Sequence, residues 1–179
     1  MFRFIKRVRL RIKDVGTISA LCQGAETHAR QNGEEKPGAE HFLLAAIDLD
    51  DGTAKRIFQK LGVNSSAINN AIKKQYADAL INVGIDPSAF NSGNPDTEVN
   101  PPQHRLYQGK PSVQSMMQEL AALRRKDKDT PLLGAHVLQV LASHEVDVVA
   151  RTLNVLNISK KDLLGAIQDE LKQEKLNTA

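Results

Sequence analysis

The chain has 179 residues, of which 41% are hydrophobic and 25% are charged, with a single cysteine, Cys22, and no tryptophan. This balance is typical of a globular protein with one ordinary domain or two small ones, and one cysteine excludes both an internal disulfide framework and a multi-cysteine zinc site. The longest apolar run, Phe42 to Ile47, is too short to span a bilayer. The basic N-terminus is not followed by the apolar segment of a secretory signal, so we expect a cytoplasmic protein.

The N-terminal residues 1–13 form a basic arm that accounts for the positive net charge. They carry six basic side chains and no acidic one, which leaves about −3 for residues 14–179. The six are Arg3, Lys6, Arg7, Arg9, Arg11 and Lys13. Alternation of apolar and basic residues from Val8 to Ile12 is typical of a strand. Two interpretations stay open, an extension lying against the body, or an arm that binds an anionic membrane, nucleic acid or an acidic protein.

Residues after the arm have the spacing of short amphipathic helices. Apolar residues predict a first helix at Thr17–Asn32, a second at about Ala39–Leu49 and a third at Thr53–Lys60. A fourth begins after Asn64, and Gly62 is typical of a helix C-terminus because glycine tolerates the left-handed conformation. The scarcity of aromatic residues, 4% of the chain, also suits packed helices better than a β-sandwich.

The second half of the chain repeats the first. A shift of 95 residues aligns Gly38–Gln75 with Leu133–Glu170 without a gap and with six identical pairs, where chance would give about two. The pairs are His41/His136, Leu43/Leu138, Arg56/Arg151, Leu61/Leu156, Ala71/Ala166 and Ile72/Ile167. The helices of the second copy are predicted at Pro111–Lys126, Gly134–Ser143, Val146–Val155 and from Ser159, where Ser159 and Asp162 form a capping-box pattern.

These elements predict an all-α fold of two pseudo-two-fold repeats, each with about four short helices. The first repeat covers residues 14–76 and the second residues 111–175, within one compact domain. Residues 77–110 between them collect proline and glycine and predict a long linker. A linker of this length is typical of a functional or mobile segment.

The motif Gly38-Ala39-Glu40-His41-Phe42-Leu43-Leu44, followed by Ala54-Lys55-Arg56-Ile57-Phe58 and Leu61-Gly62-Val63, resembles the Clp repeat. This repeat forms the N-terminal domain of Clp-family unfoldase chaperones, where it follows the pattern G-T-E-H-[IL]-L-L. The second copy keeps His136-Val137-Leu138 and Val149-Ala150-Arg151, so the resemblance covers about residues 15–175.

The resemblance implies a helical domain that docks clients and adaptors without turnover and without a cofactor. Some members bind phosphorylated arginine or adaptor groups near the motif glutamate, which implies a ligand site at Glu40, with Ala39 and Arg56 beside it. The second copy has Ala135 at the matching position, so its site is expected to be lost. No Walker A loop for ATP occurs in the chain, which indicates a stand-alone Clp N-domain.

Other polar motifs favour structural roles, so no catalytic or metal-ligating residue is assigned. His41 and His136 are expected to be structural histidines, each hydrogen-bonded to a neighbouring loop at the start of its helix. Arg56 and Arg151 are expected to bind helix ends or carboxylates, with ligand contact as the alternative. The segment His144–Val148 lacks the second histidine of a zinc-protease motif, and Asp48–Gly52 lacks the spacing of a calcium loop. Cys22 lies on the apolar face of the first helix, roughly opposite His28, and is expected to be a core residue.

We therefore expect a non-enzymatic protein- or peptide-binding module, a monomer or weak dimer, that delivers clients to a separate Clp ATPase or protease or sequesters them. The expected site is a surface groove or an acidic pocket that includes Glu40, whose side chain is expected to lie at the surface where the second helix begins. The alternative is a tethering protein that the basic arm anchors to a membrane, nucleic acid or acidic protein. Nucleic-acid binding by the body is not expected, because the body has no excess of basic residues.

Overall fold

A computed structural model describes residues 2–86, 109–128, 130–144 and 147–177, with the backbone alone for residues 2–4 and 6. The side chains of Arg3 and Lys6 therefore lie outside the described part. Regular structure in these ranges is entirely helical, which confirms the all-α prediction. The helices are α1 (Phe2–Gln31), α2 (Ala39–Ile47), α3 (Thr53–Lys60), α4 (Ser65–Asn82), α5 (Pro111–Lys126), α6 (Gly134–Leu141), α7 (Val148–Val155) and α8 (Lys160–Asn177).

The second helix of each repeat lies at the centre of the fold. Every residue of α2 is buried, and so is every residue of α6 except Gln139. The two helices pack on each other, and their close approach requires a glycine. A Cβ on Gly134 would lie 2.8 Å from the carbonyl oxygen of Ala46 and 3.0 Å from Cβ of Ala54.

The repeats exchange their outer helices. The α4 helix of the first repeat packs on α7 of the second, and α8 packs on α3 in the same way. Helices α1 and α5 correspondingly cover α2 and α6 of their own repeats. The apolar side chains consequently form one continuous core that crosses both repeats. Neither repeat can bury its apolar faces alone, so the two halves are expected to fold as one cooperative unit.

Helix ends follow the local signals in the sequence. Gly62 has φ 74°, as its place after Leu61 predicts, and Asn157 at the matching position of the second repeat has φ 55°. Asparagine is one of the few other residues that adopt this left-handed conformation. Ser159 Oγ accepts a 3.1 Å hydrogen bond from the Asp162 N–H, which confirms that part of the predicted capping box.

The N-terminal arm is helical, so the strand prediction was wrong. Residues 2–31 form one helix, α1, which begins 15 residues before the predicted start at Thr17. Arginine, lysine and leucine are good helix formers, and extension of an existing helix adds one hydrogen bond for each residue fixed. The alternation from Val8 to Ile12 was too short to outweigh this advantage.

The linker prediction falls mostly on residues 87–108, which lie outside the described residues. At its beginning, α4 continues to Asn82. At its end, the Lys110 N–H donates to the carbonyl of Pro37 over 3.1 Å, just before α5 begins at Pro111. This hydrogen bond fastens the start of the second repeat to the loop between α1 and α2.

Candidate functional site

The start of α2 shows why the motif needs glycine, glutamate and histidine. The Nδ1 atom of His41 accepts a 2.9 Å hydrogen bond from the Gly38 N–H, as a capping residue does. The Glu40 carboxylate folds back over Gly38, where a Cβ would overlap with Oε1. Gly38 has φ −109°, a conformation open to every residue, so glycine is required here for space alone.

Glu40 is buried, which corrects the expectation of a carboxylate at the surface of a helix start. Its exposed fraction is 3%, because α4 and the start of α5 cover it. The Tyr76 hydroxyl donates to Oε1 over 2.7 Å, and Lys110 Nζ lies 3.3 Å from the same oxygen. Lys110 also donates to the carboxylate of Glu34. No local pattern in the sequence identifies Glu34, Tyr76 or Lys110 as neighbours of this residue.

Carboxylates, an ammonium group, a phenol and an imidazole lie together in the cluster formed by Glu34, Glu40, His41, Tyr76 and Lys110. Burial raises the pKa of Glu40, but the Tyr76 hydrogen bond, its own backbone N–H and Lys110 together lower that pKa below the ordinary value. Burial lowers the pKa of His41, although both glutamates oppose this. Near neutral pH the site therefore holds ionised Glu40 beside neutral His41.

This cluster binds an ammonium group in the described structure. Ligand atoms of Glu34, Glu40 and His41 lie within 4.8 Å of one another, as in a metal site. The ammonium of Lys110, however, lies against both carboxylates, and Nδ1 of His41 accepts the Gly38 N–H. The arrangement suits a positively charged organic group better than a metal ion.

The matching position in the second repeat has a different construction. His136 Nδ1 accepts from the Leu133 N–H over 3.1 Å, which repeats the capping role of His41. Ala135 replaces Glu40, and its N–H donates instead to Thr53 Oγ1 over 2.8 Å. Asp51 Oδ2 accepts the neighbouring N–H of Gly134 over 3.0 Å. The acidic turn that resembles a calcium loop thus caps a helix of the other repeat.

Arg56 is held by α8 and lies in a separate ion-pair network. Its Nε donates to Glu170 over 2.5 Å, its Nη2 donates to Glu174 over 2.7 Å, and its Nη1 donates to the Asp51 carbonyl over 3.2 Å. Lys60 also binds Glu170. The structure thus places Arg56 on carboxylates of α8, while Ala39 is buried in the core beside Glu40. Arg151 is exposed and forms no ion pair with a described residue.

Cys22 and His28 do not form a nucleophilic pair. Burial, followed by the charge of Glu26, raises the pKa of the Cys22 thiol to about 11, so little thiolate exists near neutral pH. Nε2 of His28 lies 2.8 Å from Oδ2 of Asp48. This arrangement agrees with the expectation that Cys22 is a packing residue.

A groove between α1 and α5 is the second candidate site, and the sequence did not predict it. Its volume is about 350 Å³, within the range of ligand pockets. Apolar side chains form its floor: Leu10, Ile18, Met117, Leu120 and Leu132. Basic side chains form its rim: Arg7, Arg11, Arg124, Arg125 and Lys128. Asp14 pairs with Arg124, whereas the other four basic residues are exposed and form no ion pair with a described residue.

Comparison with known proteins agrees with this architecture. The family model of the Clp repeat (R) N-terminal domain matches residues 17–105, which take in α2, α3 and α4. The chain therefore carries a Clp repeat N-terminal domain and belongs to that family.

A curated relative extends the similarity into the second repeat. The "Chaperone protein ClpB" of Bacillus cereus is 30% identical over 147 residues, which make up 80% of this chain. The chain spans 15% of the length of that relative. In the described part of this chain, no helix has the length and apolar character needed to cross a membrane.

Proposed function

We propose that the chain is a non-catalytic protein-binding module that holds apolar, acidic segments of client or adaptor proteins in the groove between α1 and α5. It would deliver such proteins to a separate Clp ATPase or protease, or sequester them. The observation that carries the proposal is the combination of an apolar floor with a rim of four exposed basic side chains that form no ion pair with a described residue.

Physical chemistry decides what such a groove can hold. An apolar side chain on the floor leaves water, which is worth about 2 kcal/mol for a leucine. Carboxylates beside it can pair with Arg7, Arg11, Arg125 and Lys128, so the charge of the rim selects acidic neighbours and increases the association rate. A basic apolar segment would meet repulsion at the same rim.

The test is a binding measurement with one matched pair of variants. Ala121 lines the groove, whereas its exposed neighbour Ala122 does not. We expect a labelled peptide with leucines beside glutamates to bind the native chain, and a peptide with lysines in place of the glutamates to bind at least tenfold more weakly. Ala121→Glu should remove binding and Ala122→Glu should not. Equal effects of the two substitutions would contradict the proposal.

Docking at Glu40, which the motif implies, is a second element of the proposal. It is supported by an ionised carboxylate that already accepts an ammonium group. Because Lys110 occupies the position, a client cation would have to displace it. Ala39 is buried and Arg56 is held by α8, so in this proposal Glu34 acts with Glu40 in their place.

The tethering alternative draws support from the exposure of Arg7, Arg9, Arg11 and Lys13 on α1. Removal of residues 1–13 does not separate the two functions, because Arg7, Leu10 and Arg11 also line the groove. Substitutions must therefore be confined to one face of α1.

A further inference from the structure

Four apolar side chains lie in a row on the first half of α1 and face solvent. Ile5 and Val8 are 48% and 41% exposed, and Ile12 and Val15 are each 68% exposed. We call these four residues the α1 stripe. Isolated exposed apolar residues are ordinary, but a continuous row of them indicates an interaction surface.

The α1 stripe points away from the body of the protein. The opposite face of α1 is anchored by Asp14, which accepts hydrogen bonds from Arg124 and from the Leu132 N–H, and by the fully buried Leu21. At about 100° per residue, the centre of the stripe lies roughly 150° around the helix from this anchored face. No described residue of the chain therefore covers it.

The spacing of the stripe favours a helix as its partner. Intervals of three, four and three residues place Ile5 and Ile12 at heptad positions a, and Val8 and Val15 at positions d. Viewed down the helix axis, the four side chains cover an arc of about 80°. This arc matches the narrow apolar seam of a coiled coil. A helix that lies in a membrane interface presents a broader apolar face with bulkier side chains.

The flanking charges determine what kind of helix can pack there. Arg9 and Arg11 occupy the e and g positions beside the seam, and both are exposed. A second copy of α1 would bring the six basic residues of each arm together, which disfavours self-association. Glutamate or aspartate at the partner's e and g positions would pair with both arginines.

We infer that the α1 stripe is a docking surface for an acidic amphipathic helix of a partner protein. This surface is separate from the groove, since none of the four stripe residues lines it. The two surfaces share Arg11, which lines the groove and also flanks the stripe, so substitutions of the apolar stripe residues are the ones that separate partner docking from client docking.

The probe for this inference is a synthetic helical peptide with isoleucine or leucine at a and d and glutamate at e and g. A second peptide carries lysine at e and g. We expect the acidic peptide to bind the full chain carrying Ala121→Glu, in which the groove no longer holds acidic apolar segments, and its affinity to fall at least tenfold between low and high salt. The lysine peptide should bind at least tenfold more weakly. Fluorescence anisotropy measures both affinities.

Two substitutions, each made in the same Ala121→Glu chain, locate the binding. The double variant Ile12→Ser, Val15→Ser should reduce the affinity for the acidic peptide at least tenfold, with the helical circular dichroism unchanged because both side chains are exposed. The control Leu176→Ser changes an exposed apolar residue on α8 and should have no effect. Full binding by the double variant, or equal loss in the control, would overturn the inference.

Two further measurements separate the other occupants. Light scattering should show a monomer at the peptide-binding concentration, and a dimer that Ile12→Ser abolishes would assign the stripe to a second copy instead. Vesicles of phosphatidylserine and phosphatidylcholine should not retain the protein in a stripe-dependent way. Stripe-dependent sedimentation with vesicles, without binding of the acidic peptide, would assign the surface to membranes.

Discussion

The hydroxyl of Tyr76 donates a 2.7 Å hydrogen bond to Oε1 of Glu40, and this bond joins α4 to the first turn of α2. The two residues are 36 positions apart in the chain, and the carboxylate is almost completely buried. Burial of an ionised group is costly unless it keeps its hydrogen-bond donors. The motif glutamate therefore has a structural role at this site.

Removal of this donor should destabilise the protein. We expect Tyr76→Phe to lower the free energy of unfolding by about 1–3 kcal/mol, since Glu40 then loses one of its buried partners. Urea denaturation followed by circular dichroism measures the change. Ser66→Ala removes an exposed hydroxyl of the same helix as a control, and it should cost less than about 0.5 kcal/mol. If Tyr76→Phe left the free energy of unfolding unchanged, the hydrogen bond between Tyr76 and Glu40 would be contradicted.

Gly38 and Glu40 should be strongly coupled, because the carboxylate occupies the space of a Cβ on Gly38. Gly38→Ala alone should cost about 1–3 kcal/mol, as overpacking does. After Glu40→Ala the same substitution should cost much less, with a coupling energy of about 1 kcal/mol or more. The four unfolding free energies of the double-mutant cycle measure it, and additive costs would refute the explanation.

The second repeat already carries the combination that this cycle tests. Leu133 stands where the first repeat has Gly38, and Ala135 stands where it has Glu40. Without the carboxylate, a large side chain fits beside the capping histidine. The second repeat can therefore keep the fold of the motif after losing its acidic site.

Stability should fall in mildly acidic solution. Burial and the charge of Arg124 lower the pKa of His136 to about 4, whereas an unfolded histidine titrates near 6.5. Between these values only the unfolded chain binds the proton, so this contribution is complete above pH 6.5 and is lost as the pH falls towards 4. It amounts to about 3 kcal/mol.

The variant His136→Asn tests this pH dependence. Asparagine keeps an acceptor for the Leu133 N–H and does not titrate. We expect the unfolding free energy of the variant to change less than that of the native chain between pH 6.5 and 4. Equal changes in the two proteins would exclude His136 as the titrating group.

The ammonium of Lys110 should limit access to Glu34 and Glu40. We expect the Lys110→Ala variant to bind a labelled arginine-containing peptide at least tenfold more tightly than the native chain. The reason is that the carboxylates of Glu34 and Glu40 then lack the ammonium group that pairs with them. The control Lys126→Ala removes a basic residue at the far end of α5 without touching the cluster. Fluorescence anisotropy measures both, and unchanged affinity in Lys110→Ala would refute docking at Glu40.

Much of the fold could be predicted because its signals are local. Periodic apolar residues located α5 at its observed ends, and Gly62 marked the end of α3. The repeat at a 95-residue shift predicted two equivalent halves. The exchange of α4 and α8 between the halves could not be predicted, since it depends on contacts between distant segments.

The candidate sites were harder to predict for the same reason. Glu40 was identified through its motif, but its burial depends on Tyr76 and on Lys110, which is 70 positions away. The groove requires α1 to begin before Thr17, and the alternating arm had predicted a strand there. Leu10 and Arg11 line the groove only because the arm continues the helix.

Chemical-shift mapping of the full chain with the leucine–glutamate peptide tests the central claim most directly. The proposed function predicts shifts concentrated on the groove at Leu10, Met117 and Ala121, saturable and lost in Ala121→Glu. Shifts concentrated around Glu40 and Tyr76, or no saturable shift at all, would contradict client docking between α1 and α5.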